Sequence, residues 1–582
     1  MTPRFINRLL RQWFRRDLTV WYDPAYRLPL AGLDGVVGME PRRADFVAWY
    51  LVDKQVVPAE AIRTPEPISY NDLGRVHDAS WLESLSTPIV LARVFAAAPE
   101  EIRVDPLLQT VRLACGGTLS AARWALQHQK ATLNLLGGFH HAGRASGGGF
   151  CAVNDMVVAL AALRAEGFTG HTAFIDLDAH PPDGTSDCVG NDANVWIGSI
   201  SGCDWGPLDN VDETILAEGA GDEQYLDALD GMLSRMPRTD LAFVIAGGDV
   251  LANDRLGKLG LSLDGVRRRD MRVMDRLRGI PSVWIPGGGY HENAWRVLAG
   301  TAIALSLHTR QAISPKYDPL SRRYAAIAAG LAPKDLGNDD DSSSSDILEA
   351  LGLGPSRKPR ALGYYTAEGI EYALDRYGIF FQLRRLGYDP LQVEVDSTGA
   401  GDRMRVYGQS AGKKHLLIEN VVEKKRIADH DVLYIHWLTL RHPLAQFTEK
   451  RPQLPGQEVP GLGMAREMSE IELRIAMRLG FAGIAFRPSW YHMAYAARSR
   501  FQFVDPRRQG RFLAMLRDLG HCPLLEVTLA CADGRVRMNG ERYSWEADEM
   551  VYLLDTPIAE SAIATEEANR VRFTIESATA AT

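Results

Sequence analysis

The chain is predicted to be an α/β protein, a parallel sheet flanked by helices, joined to a smaller mixed α+β domain. Three observations predict it. Residues 18–330 alternate short apolar runs of strand length with stretches of helix length. Four of the apolar runs end in glycines and chemically able side chains, as at the carboxyl edge of an open parallel sheet. An acidic, serine-rich stretch, Asn338-Asp-Asp-Asp-Ser-Ser-Ser-Ser-Asp346, then separates this half from one with a different order of elements.

In order, strands are predicted at 17–22, 131–136, 171–178, 241–245 and 282–285, with helices such as 153–166 and 223–236 between them. Ahead of them, 5–16 reads as a basic amphipathic helix. Ile6, Leu9, Leu10 and Trp13 share a face, and docking on its own domain is expected rather than on a membrane. The segment lacks the continuous apolar core of a secretory signal.

The strand ends carry the chemistry. Gly137-Gly-Phe-His-His-Ala142 follows the second strand and Asp176-Leu-Asp-Ala-His180 ends the third. Ala246-Gly-Gly-Asp249 and Pro286-Gly-Gly-Gly-Tyr290 follow the fourth and fifth. Strand side chains alternate, so Asp176, Asp178 and His180 are expected on one face. Three polar groups on a buried strand are costly unless compensated, and a divalent metal is the simplest compensation. For that triplet alone, a strand end satisfied by hydrogen bonds is an equal alternative. Polar groups at four successive strand ends favour a site.

Residues 20–310 resemble the histone deacetylase superfamily, which includes acetylpolyamine amidohydrolases and acetoin-utilisation proteins. The resemblance runs through Val76-His-Asp-Ala-Ser-Trp-Leu82, Gly116-Gly117, Gly137 to His141, Gly149-Phe-Cys-Ala-Val-Asn-Asp155, Asp176 to His180, Asp183-Gly184, Gly248-Asp249, Asp254-Arg-Leu-Gly257 and Gly287 to Tyr290. It implies an arginase-like fold. It implies Asp178, His180 and Asp249 as metal ligands, with zinc, or alternatively iron(II), as the ion. It implies His140 and His141 as acid/base groups supported by Asp176 and Asp183, and Tyr290 as the group that polarises the substrate carbonyl. Phe150, Gly149 and Gly288 would line an acyl-lysine tunnel, with Trp205 as a second aromatic. A potassium ion is implied at Asp176, Asp178, His180, Ser199 and Ile200. The chain departs from the family after His180, where Pro181-Pro182 replaces the usual His-Gly and removes two backbone donors.

These residue types suit amide hydrolysis. A metal lowers the pKa of its water and polarises a carbonyl. Two aspartates and one histidine leave coordination positions open. One imidazole takes the water's proton and another protonates the leaving amine, each steadied by a carboxylate on its far nitrogen. A phenol donates to the developing oxyanion.

The first domain is expected to end near 330, with a linker over 331–360, a second domain over 361–555 and a tail over 556–582. A helix is predicted at 367–386, strands at 392–396, 404–407, 415–422 and 432–440, a helix at 465–479, a strand at 483–487, a helix at 492–498 and a strand at 501–504. This order loosely resembles the GNAT acetyltransferase superfamily, which implies an acyl-CoA site at the turn containing Gly461 and Gly463. Gly408-Gln-Ser-Ala-Gly412 fits a serine-hydrolase pattern, but lysines and another strand follow it, so a hairpin turn is predicted. Glu423-Lys-Lys-Arg426 is predicted to be a solvated turn.

Net charge is -8 and hydrophobic content 46%, so a globular protein without a general affinity for nucleic acid is expected. The six cysteines form no C-x-x-C pair, and no apolar run reaches membrane-spanning length, so a reducing, cytoplasmic setting is expected. The predicted function is deacylation of lysine in a protein or peptide. The alternatives are hydrolysis of a small acylated amine such as an acetylpolyamine, a bifunctional enzyme with an acyl-CoA-binding or acetyltransferase second domain, and a non-catalytic binding protein. No feature of the sequence selects an oligomeric state.

Overall fold

The computed structural model describes residues 17–338, 359–449, 451–555 and 561–576. The predicted helix at 5–16, most of the linker and most of the tail lie outside the described residues. The chain forms two compact units, 1–319 and 320–582. Among the described residues no helix is long and apolar enough to cross a membrane.

The first unit is built on eight strands: β1 Thr19–Trp21, β2 Ile62–Arg63, β3 Ala131–Asn134, β4 Thr172–Asp176, β5 Val195–Ser201, β6 Val211–Ile215, β7 Leu241–Ile245 and β8 Ser282–Ile285. Their order is β2-β1-β3-β8-β7-β4-β5-β6. Every neighbouring pair is parallel. Every residue of β4, β7 and β8 is buried, which explains why these strands read as unbroken apolar runs. Helices flank the sheet, and Val104–His128 packs on Asp155–Ala165 while Ala294–Leu307 packs on both Arg43–Asp53 and Leu263–Arg276. This is the arginase/deacetylase-like architecture.

The strand order positions the site. β3, β8, β7 and β4 come from distant parts of the chain but are consecutive in the sheet. Neighbouring strands lie about 4.8 Å apart, so four consecutive carboxyl ends fall within about 15 Å. The four loops picked out in the sequence are the four that follow these strands.

Two expectations are corrected in this unit. β4 stops at Asp176, so Asp178 and His180 lie in the loop beyond it rather than on the strand face. β5 and β6 were not foreseen, because β5 mixes Gly198 and serines into its apolar residues and β6 is largely half-buried.

The second unit contains a seven-stranded sheet. β9 Leu391–Thr398, β10 Gly401–Ser410, β11 Lys413–Ile427 and β12 His430–Leu440 form an antiparallel meander. β13 Gly483–Phe486 runs parallel to β12, and helix Ala465–Arg478 lies between them in sequence. β14 Gln502–Phe503 follows. Three further strands, β15 Val536–Met538, β16 Glu541–Arg542 and β18 Phe573–Ile575, form a separate small sheet. β17 Met550–Leu553 inserts between β13 and β14, antiparallel to both.

Here the domain boundary is corrected. Helix Pro319–Gly330 belongs almost entirely to the second unit, where the Tyr324 hydroxyl donates to the Tyr377 carbonyl and Arg478 donates to the carbonyls of Ala328 and Leu331. The predicted helix 367–386 is two helices, Ala367–Arg376 and Ile379–Arg385, divided at Gly378, whose φ of 80° leaves the helical region. Glu423-Lys-Lys-Arg426 lies within β11 rather than in a turn. Its charges are matched by cross-strand partners, including Lys424 to Asp431 at 3.0 Å and Glu423 to His436 at 2.9 Å. Residues 408–412 form the β10–β11 hairpin.

Candidate active site

The loop after β3 is shaped by its glycines. Gly138 has φ +79°, and a Cβ there would lie 2.9 Å from the Gly287 nitrogen, so only glycine lets the β3 and β8 loops approach. The fully buried Asp155 carboxylate anchors the same loop. It accepts from the Gly138 and Phe139 amides at 3.0 and 2.8 Å and from the Thr118 hydroxyl at 2.6 Å. His140 and His141 follow directly.

The two imidazoles have separate partners. His140 Nδ1 lies 2.8 Å from Asp176 Oδ2, and His141 Nδ1 lies 2.7 Å from Asp183 Oδ1. Burial opposes charge on His140, but Asp176 and Asp178 outweigh it and raise its pKa to about 9. Burial, then the neighbouring His140, lowers that of His141. Pro181 and Pro182 are buried in the approach to helix Asp183–Val189. Pro182 stands at its N-cap, where a missing amide costs little, and Asp183 begins the helix facing His141.

The three predicted ligands converge. His180 Nδ1 is 3.0 Å from both Asp178 Oδ1 and Asp249 Oδ2. One donor atom from each of the three residues lies within 4.8 Å of the others. Backbone amides brace the carboxylates: Gly288 donates to Asp178 Oδ2 at 2.6 Å and Ala179 to Asp249 Oδ1 at 3.0 Å. Burial and the adjacent Asp178 charge push the Asp249 carboxyl up to about 8. Burial alone would also raise Asp178, but His140 and its other partners hold it well below the usual carboxylate range. Two buried acids this close carry charge that a bound cation relieves.

Tyr290 is buried beside them, its amide donating to Asp254 Oδ2 at 2.7 Å. Burial, then the charges of Asp178 and Asp249, keep the proton on its hydroxyl. The Phe150 ring centre lies 5.8 Å from that of Tyr290, and Phe150 takes φ +68°, a costly conformation for a bulky residue. Trp205 is half exposed, with its ring centre 5.2 Å from His141 and 5.8 Å from His180. Gly149, Gly288, Phe150, Trp205 and Tyr290 all line one cavity of about 470 Å³, together with His140, His141, Asp178 and His180.

Five further lining residues were not picked out from the sequence: Met39, Arg43, Ser146, Gly147 and Gly148. The half-buried Arg43 donates to the Gly287 carbonyl at 3.0 Å, tying helix Arg43–Asp53 to the loop that bears Tyr290. No local motif surrounds it, so nothing in the sequence marked it. Ser199 and Ile200 are fully buried on β5. Ser199 pairs in register with Asp176, and its hydroxyl has no partner among the described residues. In the second unit, Gly461 and Gly463 precede helix Ala465–Arg478, but the Gly461 carbonyl is bound by Arg451, and buried Glu467, Glu470 and Glu472 crowd the first turns. Acidic side chains there oppose a pyrophosphate.

The first unit is an α/β protein whose all-parallel sheet gathers, at its carboxyl edge and beside a phenol, an imidazole and two carboxylates close enough to hold a metal ion. The histone deacetylase domain matches residues 38–305. Histone deacetylase 2 of Arabidopsis thaliana is 31% identical over 307 residues, covering 50% of this chain and 79% of that protein. An uncharacterised protein of Picosynechococcus is 34% identical over 197 residues, 32% of this chain and 65% of that one. Histone deacetylase clr6 of Schizosaccharomyces pombe is 26% identical over 283 residues, 43% of this chain and 68% of that one. The chain belongs to the histone deacetylase family.

Proposed function

We propose that the first unit is a metal-dependent amidohydrolase that removes acetyl or longer acyl groups from lysine side chains. One observation carries the reading. Ligand atoms of Asp178, His180 and Asp249 lie within 4.8 Å of one another, and Asp178 and His180 line the cavity that Tyr290, His140, His141 and Asp183 also line. Family membership and the names of the relatives support it.

Two carboxylates and one imidazole fit zinc, and the same donors accept iron(II). When bound, such an ion polarises the amide carbonyl and acidifies water. The remaining work falls to the chain's own groups. Asp176 and Asp183 hold protons at Nδ1 of His140 and His141, leaving Nε2 of each to exchange protons. One imidazole takes a proton from water and the other delivers one to the departing amine. The Tyr290 hydroxyl donates to the carbonyl oxygen as its charge develops. Arg43 fixes the loop that carries Tyr290. Phe150 and Trp205 flank the passage for the aliphatic lysine stem. The unpartnered Ser199 hydroxyl beside Asp176 fits a potassium ion at the back of the ligand loop.

The test is turnover by the zinc-loaded full chain of acyl-lysine peptides of varied acyl length, with N-acetylputrescine as the small-amine arm. Lysine peptides are expected to turn over, and Tyr290→Phe to lose about 100- to 1000-fold in kcat with its metal content unchanged. Equal activity in Tyr290→Phe would remove the assigned role. Preference for the polyamine would reassign the substrate and leave the chemistry standing.

A further inference from the structure

The second unit holds a cavity of about 70 Å³ bounded by helices Ala367–Arg376 and Ala465–Arg478 and strands β10 and β11. Its walls are largely apolar, with Leu331, Leu336, Ile370, Met404, Ile418 and Ile475 prominent. Among the polar side chains that interrupt them are Asn420 and Glu472. Asn420 on β11 donates its amide to Glu472 Oε1 on the helix. Both residues are at least nine-tenths buried, at 3% and 1% exposure. Asn420 Oδ1 and Glu472 Oε2 each lack a hydrogen-bond partner among the described residues.

With the Glu472 carboxyl ionised, both orphaned atoms are acceptors, so whatever satisfies them must donate. Among the described residues the nearby cations are directed elsewhere. Arg474 donates to Glu470 and Ser321, and Arg478 to the carbonyls of Ala328 and Leu331. Arg474 Nε is also without a partner among the described residues, but as a donor it cannot be satisfied by the ligand's N–H groups. Burial pushes the Glu472 carboxyl up to about 7, with the Asn420 amide drawing it back. A buried carboxylate whose neutral partner meets only one of its oxygens is costly, and a charged donor offsets that cost most effectively.

We propose that this cavity is a binding site for a small primary amine, whose ammonium donates to Glu472 Oε2 and Asn420 Oδ1 while a short aliphatic body lies against the apolar wall. An ammonium supplies three N–H groups for two oxygens. A 70 Å³ cavity exceeds the roughly 10–15 Å³ that one water needs, so it admits a body of several heavy atoms. The site is independent of the chemistry of the first unit.

The experiment is titration of the full chain with n-butylamine hydrochloride, followed by calorimetry and ligand-observed NMR, with 1-butanol as the uncharged control. Saturable binding of the amine is expected, about tenfold or more tighter than that of butanol. Glu472→Gln keeps the shape and is expected to weaken the amine by about tenfold or more while sparing butanol. Ala373→Leu fills the cavity, leaves both oxygens in place and is expected to abolish binding of both. No saturable amine binding to wild type, equal affinity for the two probes, or undiminished binding in a folded Glu472→Gln would each overturn the proposal, since bound water alone would then account for the oxygens.

Discussion

The Nδ1 atom of His180 stands 3.0 Å from Oδ2 of Asp249, although 69 residues separate them in sequence. The contact exists because β4 and β7 are adjacent in the sheet, with Asp176 in register with Ile245. Each candidate ligand follows its strand by the few residues needed to bend over the sheet edge. Asp249→Asn keeps this shape and removes one charge. Changes to residues that merely support metal ligands already cost 10- to 100-fold in affinity, so loss of a ligand charge is expected to weaken zinc by at least about 100-fold. Metal stoichiometry after dialysis measures it. Full metal retention in a folded Asp249→Asn would remove this residue from the ligand set.

Gly149 is set against a catalytic candidate. It takes φ +55°, and a Cβ there would lie 2.6 Å from His141 Cδ2. Gly149→Ala therefore meets both a backbone penalty and a clash, and the ring is the part free to move. The expected cost is about 1 kcal/mol in stability. The larger effect is on rate, because a displacement near 1 Å in a reacting group costs about 100-fold. A steady-state assay paired with thermal unfolding separates the two. A fall in melting temperature without a fall in kcat would show that His141 tolerates the shift.

The sequence made the site legible where chemistry is local. Asp176, Asp178 and His180 lie within five residues, and each glycine-rich loop directly follows an apolar run. The family resemblance supplied the pairing of distant loops, which no window of sequence contains. What depends only on long-range packing stayed hidden. Arg43 acts on Gly287 from 244 residues away, and β17 enters between β13 and β14 from beyond two helices and two strands of another sheet. Helix Pro319–Gly330 was placed with the wrong half because a low-complexity stretch marks where a linker lies, not where packing changes sides. The charged run in β11 read as a turn because cross-strand partners cannot be seen along one strand.

Asp155 offers a test of positioning without contact to the ligand atoms. Its two oxygens receive the amides of Gly138 and Phe139 and the Thr118 hydroxyl. Asp155→Asn puts an NH2 group where an acceptor is needed, setting donor against donor in a dry site. The expected loss is about 1–3 kcal/mol. Activity should fall with it, because His140 follows Phe139 directly, while metal content holds. Urea denaturation, metal analysis and kcat on the same preparation check it, and unchanged kcat would mean that the glycines alone hold the loop.

Glu472 ties stability to pH in the second unit. Burial raises its carboxyl from the model-compound value of 4.5 to about 7 in the folded chain. Between these values the folded state holds a proton that the unfolded state has lost, so stability falls as pH rises through this window. Below about 4.5 the penalty is absent, and above about 7 it is complete, reaching at most about 3 kcal/mol. Glu472→Gln mimics the protonated acid at every pH. It is therefore expected to match wild type near pH 5 and to be the more stable chain at pH 8. Hydrogen exchange of β10 and β11 amides in the full chain reads this for the second unit alone. A stability difference that is the same at both pH values would mean that Glu472 does not titrate in this range.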